Sequence, residues 1–553
     1  MEQSRLLIAI ALSFLIFFLW SITFGPKPSD QAVEQTQENA DATHRQKQVP
    51  AARPDSAEVE QSAAAKKEGE GTLPQADARR ITVNTPLYRM VISERGAAVV
   101  SMVLKNYQET VRKDSPAKEL IPKGLPGGTV LLSMTGISGD DLLQGVYKAD
   151  KPENVTIQDA PGEVRFSYQT PDNLRIEKIY RFAPDNYLID LMITVRNGSD
   201  KALGGALKIA IRDMADKDQG AYGFEGPSGL INNQLEQIKI KDIEEQKILE
   251  GKIRWIAIER LYFMESLISK VPADARMVLA YENNVLENNL LTSFGEINPS
   301  DQRTFEFSLF LGPKSLSVLR AANNELDRAI DFGWVDFIAK PCLWFMNFIY
   351  RFIPNYGVAI MILTIVTRLL FWPLAQKSYK SMNDMRKLQP LMQKIREKYK
   401  NDKAKINQET MALYRTYKIN PLGGCLPMLI QLPVFFALYR MLYQALELRH
   451  APFFGWINDL SAPDRLFNFA FKIPFMEPPF GIPVLTLIMG ATMILQQKMS
   501  PAPGDPTQAK MMMLMPIVFT FIFINFPSGL VLYWLVSNLV SIAQQYYTQK
   551  RLA

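Results

Sequence analysis

Thr364-Ile-Val-Thr-Arg368-Leu-Leu-Phe-Trp-Pro373 decides how this chain is read. It lies in an otherwise apolar run over 357–374, where a cation in a bilayer costs at least about 2.5 to 3.5 kcal/mol. Two readings of Arg368 follow. In one it snorkels, because Pro373 is five residues on and roughly 8 Å of helix separates the arginine from the polar edge. In the other it faces a water-filled pocket between spans and offers positive potential to an acidic segment. No acidic residue in the other apolar runs offers it a partner.

Further apolar runs occupy 6–24, 427–446, 481–495, 511–526 and 530–543, making six candidate spans. A crossing helix needs roughly 20 apolar residues, so the last three runs imply a thinned bilayer or interfacial extension. The overall 47% hydrophobic content and net charge of +6 conceal a division. Residues 27–339 carry 38 Lys+Arg and 46 Asp+Glu, and the rest of the chain carries 24 and 10.

Residues 1–25 read as an uncleaved signal anchor, since the run is long for a secretory signal and lacks a small-x-small cleavage site. Residues 26–80, rich in Gln, Glu, Ala, Pro and Lys, read as a disordered periplasmic linker. Over 81–330, period-two segments such as Arg175-Ile-Glu-Lys-Ile-Tyr-Arg-Phe182 alternate with turn signals such as Asn197-Gly198. They predict a large, soluble antiparallel β sandwich. Residues 331–356, where Trp334, Phe337 and Phe348 interleave with Asp331, Asp336 and Lys340, predict an interfacial amphipathic helix.

The second span is expected at 357–375, then a basic helical hairpin at 376–420 with twelve Lys+Arg against four Asp+Glu. That excess marks the cytoplasmic side. The hairpin's seam is expected along Met382, Met385, Leu388, Met392, Ile395 and Tyr399, facing Ile406, Thr410, Leu413 and Tyr417. The third span (421–447), a periplasmic loop (448–480), the fourth span (481–497), a cytoplasmic loop (498–510), the fifth span (511–526), the sixth (527–547) and a cytoplasmic tail (548–553) complete the order. Both termini then lie in the cytoplasm and the β domain in the periplasm.

Thr364, Gln431, Gln496, Asn525, Tyr533, Trp534, Ser537 and Asn538 are the polar residues able to line a pocket with Arg368. Met511-Met-Met-Leu-Met515 and methionines in other spans form lipid-facing filler or, for a subset, a surface adaptable to varied apolar helices. Two cysteines (Cys342, Cys425) and two histidines (His44, His450) provide no disulfide framework and no metal cluster. No nucleotide-binding loop or nucleophile motif is present. Neither a metal nor a cofactor is expected.

Thr364 to Pro373, Asn420-Pro-Leu-Gly-Gly-Cys-Leu-Pro427, Leu429-Ile-Gln-Leu-Pro-Val-Phe435 and Phe526-Pro-Ser-Gly-Leu-Val-Leu-Tyr-Trp534 with Val536-Ser-Asn-Leu539 resemble the YidC-type insertase family of the Oxa/Alb/YidC superfamily. The long periplasmic insertion looks like its Gram-negative branch. The resemblance implies a polytopic α-helical membrane protein whose second to sixth spans form a five-helix insertase core around a hydrophilic groove. A periplasmic β supersandwich completes the fold. Arg368 matches the family's groove arginine, with Thr364 and Trp534 as groove or substrate-contact residues. Trp534 stands where some relatives have Tyr, which keeps an aromatic wall without the hydroxyl. Gln431, Tyr533 and Asn538 complete the expected groove set.

The expected function is therefore non-enzymatic insertion and folding of inner-membrane proteins. The resemblance implies nascent membrane proteins, the bilayer, the ribosome and signal-recognition pathway, and the Sec translocon with its accessory subunits as partners. Lys387, Lys394, Arg396 and Lys398 of the hairpin are expected to dock them, and no specific nucleic acid sequence is expected. Alternatives are a channel or secondary transporter, and a membrane-anchored carbohydrate-binding module. The β domain resembles sugar mutarotases, yet residues 81–330 contain no histidine to serve as acid or base.

Overall fold

Strand Leu188–Asn197 buries Ile189, Leu191, Ile193 and Val195 and leaves the residues between them more accessible. This is the period of two of a strand covered on one face. It lies between Leu174–Phe182 and Gln302–Pro313, both antiparallel, in a sheet of twelve strands. A second sheet has the order Ala117–Glu119, Ala98–Gln108, Tyr88–Ser93, Arg80–Asn84, Asn154–Thr156. Its last pair is parallel, which corrects the expectation of a purely antiparallel domain. The intervening strands supply the long connection that parallel neighbours need.

The computed structural model describes residues 78–135, 139–215, 223–243, 246–400, 402–417, 426–499 and 506–552. The expected first span at 1–25 and nearly all of the linker at 26–80 lie outside the described residues, as do Cys425 and residues 500–505 of the loop expected at 498–510.

Lys178 joins the two sheets. It is fully buried, and its Nζ donates to the carbonyls of Gly96 (3.1 Å), Ala97 (2.9 Å) and Val130 (3.0 Å). All three acceptors sit in left-handed backbone, with φ of 65°, 45° and 63°. That conformation is unfavourable for alanine and more so for β-branched valine. The ammonium therefore organises a backbone that turns its carbonyls inward.

Helix α1 (Asp336–Phe352) buries Ala339, Leu343, Met346 and Ile349 and exposes Phe337, Trp344, Phe348 and Phe352. It is shorter than the expected 331–356. A 3-10 turn at Gly333–Val335 precedes it, and Ile353 is extended, as the residue before a proline prefers. Helix α2 (Tyr356–Leu370) starts at Asn355, whose side chain accepts from the Val358 amide at 3.1 Å.

The span expected at 357–375 is not one straight helix. It breaks at Phe371 and bends by 64° into α3 (Trp372–Lys387). Pro373 causes the break, since it lacks an N–H and its ring would strike a carbonyl of the preceding turn.

Helices α4 (Gln389–Lys398) and α5 (Lys403–Thr416) follow, the latter capped by Asp402. Leu388 and Met392 are buried, and the Tyr414 hydroxyl lies 3.3 Å from the Met392 sulfur. Tyr417, expected in this seam, is exposed because α5 has ended before it.

The helices that follow are α6 (Leu426–Gln444), α7 (Val484–Met499), α8 (Pro506–Phe523) and α9 (Ser528–Leu552). Helix α9 runs through most of the expected tail at 548–553. Among the described residues no single helix is long and apolar enough to cross a membrane by itself, but the α2–α3 pair passes jointly.

The β domain and the chain after α6 are docked together. Arg449 donates to the carbonyls of Gln108 (2.6 Å) and Glu109 (3.1 Å) and lies 5.4 Å from the Phe263 ring. Glu447 accepts from Ser315 and Asn347. Ser528, at the start of α9, donates to the Asp459 carbonyl in the same loop, at 2.8 Å. The β domain therefore sits at the end of the bundle where α6 finishes and α7 and α9 begin.

Candidate functional site around Arg368

Arg368 lies in the last turn of α2, and its guanidinium turns toward two other helices. Nη1 donates to Gln431 Oε1 of α6 at 2.8 Å, Nε donates to Ser537 Oγ of α9 at 2.9 Å, and Nη2 also reaches Ser537. Tyr533, one turn before Ser537, bonds the same Gln431 side chain. Both partners are neutral, and among the described residues no ion pair holds the guanidinium. A charge served only by neutral acceptors keeps its field available to an incoming group.

Thr364 is fully buried one turn below Arg368, and its hydroxyl returns to the Ile360 carbonyl at 2.6 Å. In this state it packs within α2 and does not meet the guanidinium through a hydrogen bond. Asn538 is buried on the flank of α9 toward α7 and donates to Thr492 Oγ1 at 3.3 Å. Arg368, Gln431, Tyr533 and Ser537 are thus brought together, while Thr364 and Asn538 stand beside them.

Trp534 belongs to an aromatic layer. Its ring is edge-on to Phe435 (4.8 Å) and Phe523 (4.7 Å) and tilted against Phe519 (6.2 Å). Phe526 and Tyr439 extend the layer. Edge and tilted packing at these separations is the favourable geometry for aromatic rings. Trp534 and Phe526 lie nearer the start of α9 than Ser537, so this layer stands between the Arg368 cluster and the β-domain end of the bundle.

Asn525 corrects the expected pocket set. It occupies the turn between α8 and α9, where it accepts from the Glu477 amide (2.9 Å) and donates to the Phe475 carbonyl (3.0 Å). The buried residues missing from the expected set are Ser541, Gln544, Gln545 and Thr548 of α9. Gln544 donates to the Trp372 carbonyl beside the α2–α3 break (3.2 Å), and Gln545 donates to the Met499 carbonyl (2.9 Å). Their spacing from Ser537, at steps of three and four, is the sequence signal for one polar helix face.

On the hairpin, Lys387, Lys394 and Lys398 are exposed and Arg396 is half-buried. The Lys398 ammonium sits 5.2 Å from the Tyr399 ring. Among the described residues no cluster of His, Cys, Asp and Glu could hold a metal.

Residues 348–553 match the family described as 60Kd inner membrane protein, and residues 80–345 match the YidC periplasmic domain. The chain is 42% identical to the membrane protein insertase YidC of Syntrophus aciditrophicus, covering 99% of this chain and 100% of that one. The chain belongs to the YidC family of membrane protein insertases. The YidC of Syntrophobacter fumaroxidans is 39% identical, with 99% and 100% covered.

Among solved structures, an active YidC insertase with its first transmembrane domain resolved aligns over 85% of this chain and 95% of that one, at 19% identity and a TM-score of 0.36. A galactose mutarotase related enzyme from Lactobacillus acidophilus aligns over 42% and 97%, at 10% identity and a TM-score of 0.32. The YidC family is one of inner-membrane insertases, a non-enzymatic class, and the β-rich half of this chain is its periplasmic domain.

Proposed function

We propose that this chain inserts inner-membrane proteins, and helps them fold, through a hydrophilic groove centred on Arg368. The observation that carries this reading is the guanidinium held between α6 and α9 by the neutral acceptors Gln431 and Ser537, with no ion pair to it among the described residues. An acidic or polar flank of a client exchanges water for this positive field, so its dry path shortens. Hydrophobic burial of the client's apolar segment then drives the transfer. The aromatic layer around Trp534 supports a groove closed on the periplasmic side.

Six spans, with the second to sixth as the insertase core, make up the proposed membrane part. The docking of Arg449 on the periplasmic domain supports the proposed orientation, in which the α6–α7 loop is periplasmic. The basic hairpin and both termini are then cytoplasmic. Lys387, Lys394, Arg396 and Lys398 are the proposed contacts for the ribosome, the signal-recognition pathway and the Sec translocon.

Liposomes containing only the purified chain test this reading. Protease protection of a small two-span client should rise above that in empty liposomes. Absence of that rise would remove the proposal. A channel would instead show ion flux without client insertion, and a carbohydrate-binding module would lose its activity on deletion of residues 81–330.

A further inference from the structure

We propose that the loop between α6 and α7 carries an aromatic wedge, formed by Phe467, Phe471 and Phe475, that seats in the lipid of the periplasmic leaflet. These rings are 67%, 64% and 84% exposed, more than any packing role requires. The wedge rests on the reading of α7 as a membrane span.

Lipid is the occupant that fits. Ile482 after the wedge, and Leu487 and Ile488 in the first turns of α7, are exposed as well, and Asn468, Lys472 and Glu477 are exposed polar side chains in the stretch between Phe467 and Ile482. Helix α7 has sixteen residues, so it is about 24 Å long. The hydrocarbon core is about 30 Å thick, which leaves acyl chains facing whatever adjoins the helix end. A loop at that level is stable only if its outer surface is apolar or aromatic. Lys472, exposed between two of the phenylalanines, supplies a cation at the level of the phosphates.

The loop is also held so that its rings cannot fold inward. Its short ladder pairs Leu466–Phe469 with Phe480–Ile482. Arg465 donates to the carbonyls of Ile524 (2.8 Å) and Pro479 (2.9 Å) and to Asn525 Oδ1 (3.2 Å). Asn525 holds the Phe475 carbonyl from the α8–α9 turn. Phe467 and Phe475 both adopt left-handed backbone, with φ of 60° and 64°. Gly481 permits the close approach of the two strands, because a Cβ there would lie 2.2 Å from the Phe467 carbonyl oxygen. The wedge is thus a rigid projection from the helix ends.

The test is a nitroxide at Phe471→Cys in full-length protein with Cys342→Ala and Cys425→Ala, reconstituted in phosphatidylethanolamine and phosphatidylglycerol liposomes. Power saturation compares collisions with oxygen and with a water-soluble nickel chelate. Labels at Leu487→Cys and Asp172→Cys provide the span and aqueous references. The expected result is an oxygen-to-nickel ratio at 471 at least severalfold above that at 172, repeated at Phe475→Cys. An aqueous ratio at 471 and 475 beside a lipid ratio at 487 overturns the wedge alone. An aqueous ratio at 487 as well overturns the span reading with it. Protection from both reagents at 471 overturns lipid as the occupant and means that protein covers the rings.

Discussion

Arg368 Nε donates to Ser537 Oγ at 2.9 Å, fastening the last turn of α2 to the middle of α9. Ser537 is 4% exposed, so replacing it leaves two guanidinium nitrogens without their acceptor on α9. Ser537→Ala should cost about 1–3 kcal/mol, the usual penalty of a stranded buried donor. Thermal unfolding in detergent measures it, with Ser537→Thr expected to recover most of the loss. An alanine variant as stable as the parent would mean that water replaces the hydroxyl.

The charge of Arg368, as distinct from its packing, is tested by client choice. Arg368→Ala should impair translocation of clients with acidic tails. Arg368→Lys should be tolerated better, although lysine cannot bridge Gln431 and Ser537 with a planar fork. Equal activity of the alanine variant on every client would remove the charge from the mechanism.

Asp464 should prove structural for α7. It is 3% exposed, and its Oδ2 accepts from the Leu485 amide (2.5 Å) while Oδ1 accepts from the Trp456 indole (2.8 Å). Asp464→Ala removes a helix cap of about 0.5–2 kcal/mol. Hydrogen exchange should accelerate in the first turn of α7 and leave the second half of that helix unchanged. Uniform protection would show that Asp464 does not cap.

Lys178 gives the periplasmic domain a pH response. Burial lowers its pKa from the ordinary lysine value to about 7. Between pH 7 and the unfolded value the unfolded chain binds more protons than the folded one, so stability should rise with pH across that window. Below about pH 7 the contribution should be flat. Hydrogen exchange of strand Leu174–Phe182 in the full chain, at pH 7 and pH 9, reads this directly. In Lys178→Met the rise should vanish, and persistence of the full rise there would assign it to another group.

How much of this was legible in advance differs by kind of interaction. Period-two alternation over Arg175–Phe182 is a local property, and it marks Ile176, Tyr180 and Phe182 as one face. The same alternation put Lys178 on that face between Ile176 and Tyr180, but the carbonyls it meets lie 48 to 82 residues away. Asp464 caps a helix whose first bonded amide is 21 residues on, beyond the reach of any local capping rule. Asn525 is expected in the pocket as a polar residue of the 511–526 run, and tertiary structure puts it in the turn instead.

By itself the sequence determined that Arg368 lies in an apolar run, that basic residues concentrate at 376–420 and that 81–330 is built of strands, because hydropathy, charge and side-chain period are summed along the chain. Only the tertiary structure decided where the guanidinium points. That direction depends on how α2, α6 and α9 rotate and cross, and Gln431 and Ser537 lie 63 and 169 residues from Arg368.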